Sequence, residues 1–241
     1  MEEKGRIIQA EKSVIVAADV SSFEELKHLV KAVKGIPEIG GFKIGFRMAF
    51  KDIGLAVNIV RVNYGSDVPI IYDHQKAGND IPDMGRGFAE DLKVAGVTAA
   101  ILFPFTGPIT QEVWTSACFN AGLQVLTGGM MTHPRFLVSE GGYIDSHAPE
   151  KIFKLACRLG VKHFVVPGNK LTWVRFLRRV LVRELGEGNF VLYAPGFITQ
   201  KGDISECGQA AGDEWHAIVG SAIYKAKKMR KAAIAVTQQI R

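Results

Sequence analysis

The stretch VPIIYDHQKAGNDIPDMGRGFAEDLKVAG, residues 68–96, contains one strand-to-helix unit. Its first part, 68–74, is an almost continuous apolar run, which is typical of a strand buried on both faces of a parallel sheet. Its last part, 81–96, has proline at its second residue and ends in glycine, as helices commonly do. Four ionisable residues lie at the end of the apolar run and just after it: Asp73, His74, Lys76 and Asp80. The unit predicts both a fold and a candidate site at the exit of the strand.

The same alternation of short apolar runs and longer helical patterns continues along all 241 residues. The predicted strands are 13–20, 40–46, 68–74, 98–105, 123–129, 162–168, 189–196 and 215–222. Eight such units predict an α/β fold, a (β/α)₈ TIM barrel, as a single domain over residues 1–241. Within it, residues 1–12 are expected to form an N-terminal extension and residues 225–241 a C-terminal helix.

A doubly wound parallel sheet is the alternative architecture. Such a sheet would carry a nucleotide fingerprint after its first strand, but residues 17–25, AADVSSFEE, contain no GxGxxG motif. The chain also has no Walker A motif. The helix predicted at 21–33 instead opens with a serine that is followed three residues later by glutamate, which is a capping-box signal. The sequence therefore favours the barrel.

Composition narrows the class of protein. With 47% hydrophobic and 22% charged residues, the chain has the composition of an ordinary globular protein. Cys118, Cys157 and Cys207 are far apart and follow no CxxC or zinc spacing, which favours a reduced protein. The charged N-terminus lacks the apolar core of a secretory signal, and no apolar run approaches the length that crosses a bilayer. We therefore expect a cytoplasmic protein with no membrane partner.

The net charge of +6 is compatible with a nucleic acid, a membrane surface or a small anionic ligand as a partner. Much of the excess lies in 175–183 and 224–231, which are both predicted to be helices with a basic outer face; on the first, Leu177, Val180 and Leu181 would face inward. A solvated helix face is the favoured interpretation. No zinc-finger, RRM or KH signature accompanies the charge, which argues against nucleic-acid binding.

In a barrel of this type, the site lies at the carboxyl ends of the strands. The first predicted strand ends near Asp19, the second carries Lys43, and the third leads to Asp73 and Lys76. Charged groups that converge in a partly dry barrel mouth shift one another's pKa values strongly. These residues are candidates for catalysis, and a structural ion-pair network is the alternative.

The ends of the seventh and eighth strands suggest a second half of the site. Barrels often bind phosphate there, and PGFITQKGD (195–203) and VGSAIY (219–224) supply glycines where a backbone can approach a ligand. His74 and His133 have no cysteine or serine partner at a neighbouring strand end. A hydrogen-bonded structural role is predicted for both, and a metal site of His74 with Asp73 is the less favoured alternative.

Taken in order, these residues resemble the orotidine 5′-monophosphate decarboxylase family. The matching elements are Asp19, Lys43, DHQKAGNDIP (73–82), MTHP (131–134), PGFITQ (195–200) and VGSAIY (219–224). The resemblance extends from about residue 13 to residue 225. It implies a (β/α)₈ homodimer with shared active sites, which converts orotidine 5′-monophosphate to uridine 5′-monophosphate in pyrimidine biosynthesis. It also implies no cofactor and no metal.

The resemblance also implies a role for each matching residue. Lys76 would protonate C6 of the substrate, Asp73 would face the substrate carboxylate, and Lys43 would join the charged network and touch the ribose. Asp80 and Ile81 would reach into the active site of the other subunit.

The remaining matches would bind the substrate. Asp19 would hold a ribose hydroxyl, and Thr132 would read the edge of the pyrimidine. Gln200, with the backbone of Gly220 and Ser221, would hold the phosphate.

The chain departs from the family in the spacing of its charged cluster. The family pattern is Asp-x-Lys-x-x-Asp, whereas Asp73 and Lys76 are three residues apart here and Asp80 follows four residues later. Residues of one strand point to the same side only at even spacing. We therefore expect either a bulge near His74–Gln75 or a strand that has already ended.

Two further departures concern single positions. The family has an arginine that grips the phosphate where this chain has Ser221, and we expect Lys201 to replace it as a point charge. Met84 stands where the family often has threonine, which removes a possible hydroxyl contact across the dimer.

Two other functions stay open. Sugar-phosphate enzymes of the same barrel type, such as hexulose-phosphate synthase and ketogulonate-phosphate decarboxylase, resemble this cluster but use magnesium bound by acids at the same strand ends. The Ile-Pro pair after Asp80 and the MTHP turn favour the cofactor-free decarboxylase. A barrel that binds a phosphorylated metabolite without turnover is the second alternative, because the arginine is missing.

Overall fold

Eight parallel strands close into a barrel in sequence order, with β1 paired to both β2 and β8. The computed structural model describes residues 5–73, 78–197 and 202–240. The strands are β1 (Lys12–Ala17), β2 (Ile39–Gly45), β3 (Ile70–Asp73), β4 (Ala99–Leu102), β5 (Gln124–Gly128), β6 (His163–Val165), β7 (Val191–Pro195) and β8 (Trp215–Val219). The predicted (β/α)₈ barrel is confirmed.

Helices follow each strand and surround the barrel. They are α1 (Phe23–Val33), α2 (Phe46–Tyr64), α3 (Met84–Val94), α4 (Pro108–Asn120), α5 (Ala148–Arg158), α6 (Leu171–Leu185), α7 (Ile204–Ala211), α8 (Ser221–Tyr224) and α9 (Met229–Thr237). The long connection before α5 contains a short 3₁₀ turn, Val138–Glu140, and a β-bridge between Leu137 and Ile144 that encloses it. No helix within the described ranges is long and apolar enough to span a bilayer.

Several strands are shorter than their apolar runs predicted. β1 ends at Ala17, so Asp19 lies in the loop that follows it, and β4 spans four residues where the run covers 98–105. Phe103, just beyond β4, is buried because its ring packs inside the barrel mouth and not because its backbone extends the sheet. Burial continues past the last strand pair, so an apolar run overestimates strand length.

Successive side chains along each strand point alternately into the barrel interior and into the layer between the strands and the helices. On β3, Ile71 packs in the interior, whereas Ile70 and Tyr72 pack under the helices. Lys43 on β2 is in register with Ala17 of β1 and with Ile71, which are both interior residues. Lys43 therefore belongs to the inward-facing set of its strand.

The N-terminal segment closes the floor of the barrel. Ile7 and Ile8 are buried among the interior side chains. His163 Nε2 donates to the carbonyl of Gly5 at 2.6 Å, and this donation leaves Nδ1 to accept from the hydroxyl of Tyr193 at 3.2 Å. The segment before β1 is thus tied to β6 and β7 by buried side chains.

A second buried histidine lies beside the first. His216 Nδ1 is hydrogen-bonded to Ser13 Oγ at 2.8 Å, and its ring centroid is 4.9 Å from that of Tyr193. Burial lowers the pKa of His163 to about 4 and the pKa of His216 to about 3, the latter aided by His163 and Arg6. Both rings are therefore neutral near neutral pH.

The helix predictions are confirmed in two places and wrong in one. Ser22 Oγ accepts from the backbone N–H of Glu25 at 3.1 Å, which confirms a serine cap on α1, whereas the Glu25 carboxylate accepts from the backbone N–H of Ser21 at 2.8 Å. On α6, the residues predicted to face inward, Leu177, Val180 and Leu181, are buried. The basic segment 224–231 is not one helix, because α8 ends at Tyr224 and α9 begins at Met229. The chain turns between them so that α9 packs against both α1 and α8.

Candidate active site

The barrel mouth holds a cluster of three charged side chains. Lys43 Nζ is 2.7 Å from Asp73 Oδ2 and 3.4 Å from each carboxylate oxygen of Asp19. The side chains of Lys43 and Asp73 are buried, whereas that of Asp19 is 41% exposed. The cluster therefore extends from the dry interior to the solvent, with two carboxylates on one ammonium.

The local sequence explains why these groups meet. Lys43 starts two residues before the end of β2, and its long side chain reaches the level of Asp73, the last residue of β3. Gly45 is in register with Asp73. A Cβ at Gly45 would lie 2.3 Å from Asp19 Oδ1, so only glycine leaves room for that carboxylate. Neighbouring strand ends and one glycine thus assemble the cluster.

Opposing effects act on the ammonium of Lys43. Burial would lower the pKa of Lys43, but the carboxylates of Asp73 and Asp19 outweigh burial and raise it above its ordinary value. The other oxygen of the Asp73 carboxylate, Oδ1, is buried and has no hydrogen-bond partner among the described residues. Lys43 is therefore charged near neutral pH, and Asp73 Oδ1 can still accept a hydrogen bond from a further donor.

Several predicted site residues lie outside the described residues. They are His74, Lys76, Gln200 and Lys201. The bulge expected near His74–Gln75 falls in the same gap. The base of the loop that carries Gln200 is described: Phe197 and Gly202 form a β-bridge, and Gly202 N donates to the carbonyl of Gly196 at 3.2 Å.

Asp80 and Ile81 point away from their own barrel. Both side chains are exposed, Ile81 to 61%, and Asp80 Oδ1 accepts from the backbone N–H of Ile81 at 2.7 Å. Among the described ion pairs, none joins Asp80 to Lys43 or to another side chain. The structure thus does not bring Asp80 into the cluster of its own chain.

The other predicted binding residues are on the same rim. The carbonyl of Thr132 accepts from Asn169 Nδ2 at 3.1 Å, which fixes the backbone after β5. Gly220 follows β8, and Ser221 begins the four-residue helix α8. His133 Nδ1 lies 3.0 Å from the carbonyl of Pro134, a local contact of the structural kind that the sequence indicated.

The sequence did not indicate a cavity next to Asp19. Its volume is 330 Å³, and Ser21, Arg47, Tyr224 and Lys225 are among the residues that line it. No motif connects these positions, because they come from three separate parts of the chain: the loop after β1, the start of α2 and the end of α8. Among residues 5–73, 78–197 and 202–240, no group of three or more His, Cys, Asp or Glu side chains could hold a metal ion.

Fold and site together define a class: a (β/α)₈ barrel with a buried Lys–Asp centre at the carboxyl ends of its strands. No family model matches the chain. The orotidine 5′-phosphate decarboxylase of Methanosarcina mazei is 27% identical over 227 residues, which are 94% of this chain and 94% of that protein. The chain is a homologue of proteins of that name over nearly its whole length, and the resemblance inferred from its residues is confirmed.

Solved structures agree with this relationship. The orotidine 5′-phosphate decarboxylase of Pyrococcus horikoshii aligns with a TM-score of 0.76 at 25% identity, over 95% of this chain and 99% of that one. The enzyme of Methanocaldococcus jannaschii, in complex with the inhibitor BMP, aligns with a TM-score of 0.81 at 18% identity, over 95% and 99% of the two chains. The second likeness concerns the fold alone.

Proposed function

We propose that this chain is a carboxy-lyase that converts orotidine 5′-monophosphate to uridine 5′-monophosphate, a step of pyrimidine biosynthesis, without a cofactor. The observation that carries the proposal is the buried ion pair of Lys43 and Asp73 at the barrel mouth, in a homologue of enzymes with this name. A buried pair is costly to maintain for stability alone. Its position at the catalytic rim of the barrel supports a chemical role.

The proposed reaction gives these residue types a purpose. When the bond between C6 and the carboxylate breaks, carbon dioxide leaves and the electron pair stays on C6. An ammonium held beside C6 stabilises this carbanion and then donates a proton to it. We assign that ammonium to Lys76, which regains its proton from solvent after turnover. Asp73, with its spare buried oxygen, would face the substrate carboxylate and keep Lys76 charged.

The rest of the substrate would lie along the rim. Asp19, the partly exposed member of the cluster, would accept from a ribose hydroxyl, and Lys43 would touch the same sugar. Thr132 would read the pyrimidine edge. Gln200 and Lys201, with the backbone of Gly220 and Ser221, would hold the phosphate. Binding energy from the phosphate can be used at the reacting carbon.

A magnesium-dependent sugar-phosphate reaction fits the cluster less well. Such an enzyme would use acids at these strand ends as metal ligands. Here the ammonium of Lys43 already lies between the two carboxylates, at 2.7 Å from Asp73 and 3.4 Å from Asp19. The chain thus supplies its own cation at this position.

The same proposal includes a homodimer with shared active sites. Large apolar side chains are exposed at or near the beginnings of three consecutive helices, α2, α3 and α4, and helices of a barrel begin at the catalytic rim. These side chains are Phe46, Phe50, Ile81, Met84, Ile109 and Val113. Exposed apolar surface of this kind usually marks a protein contact. Asp80 and Ile81, which point out of their own barrel, would then reach the site of the other subunit.

We also infer a reducing, cytoplasmic location. Cys118, Cys157 and Cys207 are free and buried. Burial raises the pKa of Cys118 and of Cys207 to about 12, so these thiols are unreactive packing groups.

One assay tests the activity. The purified protein is mixed with orotidine 5′-monophosphate in EDTA, and the ultraviolet change is followed. We expect turnover that survives EDTA and disappears in Lys76→Ala, but persists in the control Lys162→Ala, because Lys162 precedes β6 at the opposite end of the barrel. Loss of turnover in EDTA would favour the magnesium enzyme. No turnover in any condition would favour a barrel that only binds a phosphorylated metabolite.

A second experiment tests the phosphate site. Lys201→Ala is expected to raise the KM for the phosphorylated substrate by at least about tenfold, because a tenfold change corresponds to about 1.4 kcal/mol, the scale of one hydrogen bond to a charged group. Lys162→Ala again serves as the control. An unchanged KM in Lys201→Ala would refute the assignment.

A further inference from the structure

The backbone that follows the Lys76 segment is held by side chains of the next strand-to-helix unit. Asn79 Nδ2 donates to the carbonyl of Phe103 at 2.5 Å, and the backbone N–H of Phe105 donates to Asn79 Oδ1 at 2.7 Å. One amide thus bonds both a carbonyl and an N–H just beyond the end of β4. It replaces the strand pairing that stops at Asp73 of β3.

Three further side chains donate to the carbonyls beside Asn79. Thr106 Oγ1 donates to Gly78 O at 3.0 Å, and Thr110 Oγ1 donates to Asp80 O at 3.2 Å. The indole N–H of Trp114 donates to Ile81 O at 3.1 Å. Thr110 and Trp114 are both buried, so these bonds satisfy groups that would be costly to bury alone. Every residue from 78 to 81 is therefore tied to the loop after β4 or to α4.

These bonds have consequences in both directions along the chain. Because the carbonyls of Asp80 and Ile81 face α4, their side chains face outward, as their exposure shows. On the other side, the chain is fixed at Asp73 by β3 and again at Gly78, whose φ of +86° favours glycine. Lys76 lies in the short span between these two fixed points. The Asn79 bonds therefore hold the backbone at the far end of this span, where Asp80 and Ile81 follow.

We propose that Asn79 is a positioning residue for the decarboxylation, and this inference rests on the proposed function. Its amide acts through the backbone and touches no substrate. It fixes the backbone of residues 78–81, from which Asp80, by the proposed function, would reach the site of the other subunit.

Two substitutions and a control test the inference. Asn79→Ala removes both bonds. Asn79→Asp keeps the oxygen that accepts from the backbone N–H of Phe105. Its second carboxylate oxygen takes the place of Asn79 Nδ2, which lies 2.5 Å from the carbonyl oxygen of Phe103. The control Asn63→Ala removes a half-buried asparagine that donates within its own helix, to Ile59 O at 2.7 Å. For each variant, kcat, the calorimetric affinity for uridine 5′-monophosphate and the melting temperature are measured.

We expect kcat of Asn79→Ala to fall by about 10- to 100-fold, because a misplacement near 1 Å has an effect of this size. The affinity for uridine 5′-monophosphate should stay within about threefold, and Asn63→Ala should match the wild type. In Asn79→Asp, the ratio of kcat to the wild-type value should recover as the pH falls from about 8 to about 5, because a protonated carboxyl can again donate to Phe103 O. A merely structural defect would not be restored by acid.

The outcomes separate the two proposals. If the wild type turns over and Asn79→Ala keeps its kcat, or loses nucleotide affinity and kcat equally, the positioning inference is overturned alone. If the wild type shows no turnover, the proposed function is overturned and this inference with it. Should Asn79→Ala fail to fold, the pH profile of Asn79→Asp decides, and a pH-independent ratio overturns the inference.

Discussion

Removing the ammonium of Lys43 should destabilise the protein chiefly through Asp73. In Lys43→Met, the Asp73 carboxylate, whose side chain is 4% exposed, loses its partner at 2.7 Å. Leaving one buried charge of a pair unpaired typically costs about 3–5 kcal/mol. The unpaired carboxylate can instead take up a proton. For a carboxyl group in general, with an ordinary pKa near 3.9, protonation at pH 7 costs about 4 kcal/mol. We therefore expect a loss of about 3–4 kcal/mol in the free energy of unfolding.

Urea unfolding of four proteins measures this effect: the wild type, Lys43→Met, Asp73→Asn and the double variant. In the double variant the buried charge is absent, so most of the loss should be recovered, with a coupling energy of at least about 2 kcal/mol. Acid should also help Lys43→Met. Protonation of the Asp73 carboxylate removes its unpaired buried charge, so the stability of this variant relative to the wild type should rise as the pH falls.

Two results would refute this reasoning. A loss below about 1 kcal/mol in Lys43→Met would mean that Lys43 is not the group that balances Asp73. Additive effects in the double variant, at unchanged m-values, would mean that the two side chains do not interact in the folded protein.

Three other predictions follow from buried or exposed groups. The folded-state pKa values of His163 and His216, about 4 and about 3, lie below the ordinary 6.5, so the unfolded chain binds protons first. The stability that the two neutral rings contribute is fully present above about pH 6.5, and the free energy of unfolding should fall by about 2 kcal/mol per pH unit below it. A urea midpoint that is constant between about pH 7 and 5 would contradict this. Gly45→Ala places a Cβ 2.3 Å from a rim carboxylate oxygen, so kcat/KM should drop by at least about tenfold while the melting temperature changes little; unchanged kinetics would argue against the close contact. Ile81→Asp should shift the protein to monomers in sedimentation and abolish activity, whereas Val94→Asp, 89% exposed at the other end of α3, should do neither; a dimeric Ile81→Asp would count against the shared site.

The sequence predicted the rim residues better than their contacts. Asp19 follows β1, Lys43 lies near the end of β2 and Asp73 ends β3, and a parallel barrel brings all its carboxyl strand ends to one rim. Their convergence could therefore be inferred without coordinates. The sequence could not show which of these side chains contact one another, because the contacts depend on strand register and on the space left by Gly45. Strand lengths were overestimated for a related reason: apolar residues beyond the last pair, such as Phe103, stay buried in the mouth.

By itself, the sequence determined the fold class and the order of the elements, because continuous apolar runs, capping residues and terminal glycines act over a few residues. Only the tertiary structure decided the contacts that join distant parts of the chain. The amide of Asn79 meets a carbonyl 24 residues away, and His163 meets a carbonyl 158 residues away. No local pattern encodes such bonds, since each donor finds its acceptor only after the closed barrel has brought neighbouring loops, and the two ends of the chain, together.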